Sequence, residues 1–170
     1  MRVMVVDDHQ LTLDGLRALI ENEPTLQLTG TAENGRKALR AARDAQPDVV
    51  VMDLAMPDLN GIEATRQLRR DNPDVQVLAL SMHADREYVR RVLEAGASGY
   101  VVKDCAFDEL CEALRTVARG QTYLSPQIAD IVVDDYLHQP STTESQPRLD
   151  PSGREREVLQ LMAEGQSTKE

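Results

Sequence analysis

From residue 48 to 54 the chain reads Asp-Val-Val-Val-Met-Asp-Leu, an apolar run broken near its end by Asp53. A strand this apolar has no side to show to water. It belongs to a sheet covered on both faces, which in practice is a parallel sheet wrapped by helices. The first 120 residues supply the other strands and the covers. Val3, Met4, Val5 and Val6 form a short apolar run that ends in two acids, and Leu13, Leu16, Leu19 and Ile20 then share one helical face. Residues 26–32 form a weaker, alternating strand, and Asn34-Gly35 opens a helix carrying Ala38, Leu39 and Ala42. Ile62, Thr65 and Leu68 mark a third helix, residues 75–80 a fourth strand, and Val89, Val92, Leu93 and Gly96 a fourth helix at i, i+3, i+4, i+7. Residues 99–102 are a fifth strand. Phe107, Leu110, Cys111, Leu114, Val117 and Ala118 then form the clearest amphipathic helix, stopped by Gly120.

Five strand–helix units in series imply a parallel sheet, because parallel neighbours need a helical crossover. The expected fold is therefore α/β, a flavodoxin-like (βα)5 domain over residues 1–120 with strand order 2-1-3-4-5. Open sheets of this kind bind ligands at the carboxyl ends of their strands, near the switch in strand order. The reactive side chains fall there: Asp7 and Asp8 end strand one, Asp53 strand three, Ser81 strand four and Lys103 strand five. Taken singly, most of these have a plainer reading. Asp7 and Asp8 could cap the first helix, Ser81 could be a cap and Lys103 a solvated surface residue. Asp53 is different, since a bare carboxylate at the end of a buried strand is costly without a role. Placement of all of them at four strand ends outweighs the separate readings. His83, two residues after Ser81, reads either as a rim residue or as an exposed loop histidine. Tyr100 points either into or out of the sheet edge.

Beyond residue 120 the pattern changes. Ser125-Pro126 is a cap followed by proline at the first helical position. Ile128, Ile131, Val132 and Tyr136 stripe one face, so residues 121–151 read as a linker containing one helix at about 125–138. Residues 139–151 are polar and hold Pro140, Pro147 and Pro151. Ser152-Gly153-Arg154-Glu155 fits a capping box ahead of Val158, Leu159 and Met162, and Ser167 to Glu170 fits a second one. A helix start with no helix behind it is read as truncation. The net charge of −10 argues that residues 1–170 carry no DNA-binding surface of their own. The apolar stretch after Arg2 is too short for a secretory signal or a membrane span. Cys105 and Cys111 form no C-x-x-C unit and read as thiols of a reducing cytoplasm. His9, His83 and His138 are scattered, without metal-ligand spacing.

Three carboxylates in one pocket repel each other by roughly 1–4 kcal/mol per pair at about 4 Å. Either one is protonated or a cation sits among them. Hard oxygen ligands with open positions for phosphate oxygens favour Mg²⁺. A carboxylate that attacks phosphorus gives an acyl phosphate, and positive charge around the transferring group is then the main requirement. Mg²⁺ and Lys103 can supply that charge, and the Ser81 hydroxyl can hydrogen-bond a further oxygen.

Residues 1–120 resemble a response-regulator receiver domain, in detail its NarL/FixJ branch. The resemblance is carried by Val5-Val6-Asp7-Asp8-His9, by Met52-Asp53-Leu54-Ala55-Met56-Pro57-Asp58-Leu59-Asn60-Gly61, by Leu80-Ser81-Met82-His83, and by Gly96-Ala97-Ser98-Gly99-Tyr100-Val101-Val102-Lys103-Asp104. It implies that Asp53 is the phosphoacceptor. Asp8, Asp53 and the backbone carbonyl of Ala55 would bind Mg²⁺ directly, with Asp7 acting through a water. Ser81 and Lys103 would contact the phosphoryl group, and Tyr100 would change rotamer with Ser81 on activation. The implied protein is a cytoplasmic two-component response regulator, phosphorylated by a sensor histidine kinase or a small phosphodonor. Phosphorylation would alter the face formed by helix four, strand five and helix five and produce a homodimer, with promoter DNA bound by the full-length protein. Residues 152–170 resemble the opening of a LuxR-type helix-turn-helix domain through Arg154-Glu155-Arg156-Glu157-Val158-Leu159-Gln160-Leu161-Met162-Ala163-Glu164-Gly165. The family's usual Leu-Thr at the start is Pro151-Ser152 here, and its recognition helix lies beyond residue 170.

Two other readings stand beside this one. A phosphorylation-independent interaction module would keep the fold with a vestigial pocket. A phosphohydrolase of the haloacid dehalogenase type also forms an aspartyl phosphate, but it places its two acids as D-x-D, whereas Asp7 and Asp8 are adjacent. On the favoured reading the chain is not an enzyme beyond its own phosphorylation and dephosphorylation.

Overall fold

The computed structural model describes residues 1–138; expectations for residues 139–170, the polar linker and the helix-turn-helix opening, lie outside the described residues. Six strands alternate with helices along the chain: β1 Arg2–Val6, α1 Gln10–Glu21, β2 Gln27–Ala32, α2 Gly35–Ala45, β3 Val49–Asp53, α3 Gly61–Asp71, β4 Gln76–Ser81, α4 Arg86–Glu94, β5 Gly99–Val102, α5 Phe107–Ala118, β6 Tyr123–Leu124 and α6 Pro126–His138. The sheet order is β2-β1-β3-β4-β5-β6, and every pair is parallel.

Side chains alternate across the strands and sort into two covers. Val3, Val5, Val49, Val51, Leu78, Leu80 and Val101 face one way, under Leu13 and Ile20 of α1 and Leu110, Leu114 and Val117 of α5. Met4, Val6, Val50, Met52 and Val77 face the other way, under Ala38 and Ala42 of α2 and Ala64 and Leu68 of α3. Because both faces are buried at the centre of the sheet, β3 is apolar at every position before Asp53, and this accounts for the run at 48–54.

Polar side chains start the helices that border the carboxyl edge. Asn34, Asn60 and Asp85 accept hydrogen bonds from the amides of Lys37, Glu63 and Tyr88, each at 2.9 Å. At the start of α3 only glycine fits: a Cβ on Gly61 would lie 2.0 Å from the Asp53 carbonyl oxygen and 2.7 Å from Leu54 Cα. This contact folds the chain back against the end of β3 and leaves the Asp53 carboxylate at the edge.

The sequence reading expects five strands, and the structure has a sixth. Tyr123 and Leu124 pair with Gly99 and Tyr100, and α6 packs Ile128, Ile131 and Val132 into a cluster with Val89, Val92 and Leu93 of α4. An edge strand left bare offers a row of unpaired backbone groups, and β6 covers the edge of β5. The face of helix four and strand five, expected to change on phosphorylation, is thus occupied in part by the chain's own residues 123–132.

Candidate functional site

Register brings the reactive residues together. Val6 pairs with Met52, so Asp7 and Asp53 follow in step at the ends of neighbouring strands. Asp53 pairs with Leu80, which places Ser81 one step beyond. Ser81 pairs with Val102, which places Lys103 next, and the Lys103 amide donates to the Ser81 carbonyl at 2.9 Å.

Lys103 reaches across this edge. Its Nζ donates to Asp7 Oδ2 at 2.7 Å and lies 3.2 Å from Asp53 Oδ1. The side chains of Asp7 and Asp53 are 1% and 2% exposed and that of Lys103 13%, so these charges act on one another with little water between them. Asp7 Oδ1 also accepts from the His9 amide at 2.9 Å. Asp53 Oδ1 accepts weakly from the Ala55 amide at 3.4 Å, so the turn after β3 sets the Ala55 backbone beside the carboxylate. Two buried oxygens, Asp8 Oδ1 and Asp53 Oδ2, have no hydrogen-bond partner. The first lies 3.0 Å from His9 Nδ1, close enough for an ion pair when the imidazole is protonated but not in hydrogen-bond geometry.

One ammonium does not balance this set. Burial first, and then the Asp7 charge, push the Asp53 pKa above its ordinary value, and Lys103 only partly offsets them. Burial works against the Lys103 ammonium too, but the hydrogen bond to Asp7 and the Asp53 and Asp7 charges outweigh it, and its pKa is raised. The two directions agree if the pocket carries more negative charge than Lys103 can neutralise. Ligand atoms of Asp7, Asp8, His9 and Asp53 lie within 4.8 Å of one another, a spacing that suits a single cation.

Ser81 is fully buried, and its Oγ accepts from the His83 amide at 3.1 Å. Tyr100 is also fully buried, pointing inward, and its hydroxyl donates to the His83 carbonyl at 2.7 Å. Burial raises its pKa to about 12. One backbone residue, His83, therefore ties Ser81 and Tyr100 together. The exposed His83 ring stacks edge-on against Tyr88 at 5.6 Å, whose pKa is raised by burial and then by the Asp53 charge. Asp7, Asp8, Asp53, Lys103 and the Ala55 backbone thus meet in one pocket, while Ser81 and Tyr100 share the adjoining β4–α4 turn. The sequence reading assigned His9 no role, since histidine spacing gave no ligand pattern. Its place directly after two acids at a strand end was the available signal.

Residues 3–115 match the family model of the response regulator receiver domain. The chain belongs to that family, and its relatives place it among two-component response regulators of the NarL/LuxR type, which regulate transcription in response to phosphorylation. It is 39% identical over 171 residues to the transcriptional regulatory protein MctR of Rhizobium johnstonii, covering 100% of this chain and 76% of that protein. To the transcriptional regulatory protein DegU of Brevibacillus brevis it is 36% identical over 182 residues, covering 99% and 77%. A crystal structure of a LuxR-family two-component response regulator from Aurantimonas sp. superposes with a TM-score of 0.76 at 38% identity, covering 80% of this chain and 97% of that one. Receiver domains are phosphorylated by sensor kinases and bind Mg²⁺ at an acidic pocket, and an acidic cluster of that kind is present here. No helix among the described residues is long and apolar enough to cross a membrane.

Proposed function

We propose that Asp53 accepts the phosphoryl group. The observation that carries this is the Asp53 carboxylate itself: buried at a strand end, one oxygen beside Lys103 and the other without a partner. A buried polar atom without a partner is costly, and phosphoryl transfer to that atom turns the cost into a bond. An Asp53 oxygen attacks phosphorus, the bond to the donor's leaving group breaks, and the leaving group departs with the electron pair. Lys103 lies where it can neutralise a phosphoryl oxygen, and the Ser81 hydroxyl can donate to another once the β4–α4 turn moves inward.

The residues fit Mg²⁺. Asp8 and Asp53, with the Ala55 carbonyl, would hold it, and Asp7 would act through a water. The unpartnered oxygen of Asp8 favours this assignment. When bound, the ion supplies positive charge to the phosphoryl oxygens. His9 stands at the edge of the same cluster and orients Asp7 through its amide.

The partner that phosphorylates Asp53 is a sensor histidine kinase. Exposed Leu19 and Met82 line an apolar groove between α1 and α5 that reaches Lys103, a surface suited to a docking helix. The output is a homodimer, and promoter binding belongs to a LuxR-type domain of which residues 152–170 resemble only the opening. The protein works in the cytoplasm, and its chemistry is confined to its own phosphorylation and dephosphorylation. Intact mass after incubation with acetyl phosphate and Mg²⁺ tests this. A single phosphoryl adduct is expected in the wild type and none in Asp53→Asn or in EDTA. An adduct that survives Asp53→Asn overturns the assignment. No adduct on a folded wild-type chain points to the phosphorylation-independent module.

A further inference from the structure

Tyr100 is held from two sides. Towards the pocket, its hydroxyl bonds the His83 carbonyl, and the His83 amide bonds Ser81 Oγ. Towards the sheet edge, its backbone pairs with Leu124, and its carbonyl accepts from the Ser125 amide at 3.0 Å. Its ring shares a buried cluster with Ile128, which is itself fully buried. The segment that does this is fastened independently. Ser125 Oγ donates to Glu109 Oε1 of α5 at 2.6 Å, and Ile131 and Val132 pack on the α4 side of the same cluster. Gly99 makes the approach possible, since a Cβ there would lie 2.8 Å from both the Tyr123 carbonyl oxygen and Leu78 Cδ1.

We propose that residues 123–132 are a positioning element for the phosphorylation site, with Ile128 acting through Tyr100 to favour the phosphorylated state. This rests on Asp53 being the phosphoacceptor. A phosphoryl group on Asp53 draws Ser81 towards it. Ser81 holds His83, and His83 holds the Tyr100 hydroxyl, so the pull keeps the ring inward beneath Ile128. An inward ring completes the cluster on which α6 rests, and a docked α6 in turn favours the inward ring. Such coupling is reciprocal: phosphorylation tightens the segment by the same factor by which the segment tightens phosphorylation. Residues 123–132 thereby feel the state of Asp53 through Tyr100, and the signal passes along the chain itself.

Beryllofluoride with Mg²⁺, a phosphoryl mimic, provides the test on the full chain. Hydrogen exchange at the amides of residues 128–132 is expected to slow at least about fivefold on loading, the lower end of ordinary coupling. Ile128→Ala is expected to weaken beryllofluoride binding by the same factor, and Ile128→Val to restore most of it. Ser125→Ala, which removes only the bond to Glu109, gives a smaller loss in a chain whose core is intact, should Ile128→Ala unfold. Exchange that is unchanged or faster on a loaded chain overturns the coupling and leaves Asp53 as acceptor. A chain that binds no beryllofluoride and forms no adduct overturns both.

Discussion

The acidic pocket and the β6–α6 segment border the same sheet and are built on opposite terms. In the pocket three carboxylates meet one lysine, two buried oxygens go without partners, and the pKa of Asp53 is raised. That arrangement costs stability as long as no further positive charge balances it. At the other edge Ile128 and Tyr100 are fully buried, and the buried hydroxyls of Ser125 and Tyr100 are satisfied by Glu109 and by the His83 carbonyl. The pocket stores unfavourable electrostatics among its acids, and the edge supplies packing that holds Tyr100 in place. Substitutions in the two places should therefore change stability with opposite signs.

The largest effect is expected at the edge. Ile128→Ala removes a fully buried side chain from the cluster around Tyr100, and such truncations leave a cavity and cost about 2–5 kcal/mol. We expect about 3 kcal/mol in urea denaturation, a large part of the ordinary stability of a domain. A loss below about 0.5 kcal/mol, the scale of a surface substitution, would mean that α6 is a passive linker, and the contrast between the regions would fail.

The opposite sign is expected in the pocket. In EDTA, Asp53→Asn should stabilise the fold by about 1 kcal/mol, because it removes one member of a buried like-charge set while keeping the shape. Folding raises the Asp53 pKa above its ordinary 3.8. The wild type is therefore relatively most stable below that value and loses stability as pH rises through the raised pKa. The gap between variant and wild type should open over that rise and narrow on acidification. A variant less stable than wild type at neutral pH would show that the Lys103 ion pair outweighs burial and Asp7, contrary to the direction inferred for Asp53.

The two regions were also unequally legible in the sequence. Pocket residues announce themselves because their types conflict with their surroundings: an aspartate closing an apolar strand, paired acids after Val6, a lysine after Val102. Strand order then follows from crossover rules, and register does the rest. Residues 123–124 carry no such signal. A two-residue strand has no period to detect, and its pairing depends on the bare edge of β5. Gly99 was the trace it left, an open position where the neighbouring backbone comes close. The stripe Ile128, Ile131 and Val132 was readable as a helix face, but its partner α4 is a tertiary matter. The inward pose of Tyr100 was left open for the same reason, since it depends on the His83 carbonyl and on what covers the ring.

The smallest effect falls between the two regions. Cys105 follows Lys103 by two residues and shares a cleft with Glu109 and Ser125. Burial, and then the charges of Glu109 and Asp104, raise its pKa from 9.0 to about 11. A raised folded-state pKa adds stability below pH 9.0 that is lost as pH climbs through about 11, a minor term for a half-buried thiol. Its value is as a reporter. At pH 8 the native thiolate fraction should be about a hundredfold below that of the urea-unfolded chain, the ratio set by the two pKa values. Iodoacetamide alkylation of a Cys111→Ala chain, which keeps Cys105 as its only thiol, measures this. If the segment holds down the β5–α5 loop, Ile128→Ala should speed alkylation while Asp53→Asn leaves it unchanged. Equal acceleration by both would mean that Cys105 senses the charge of the pocket, and the edge and the pocket would have to be treated as one electrostatic unit.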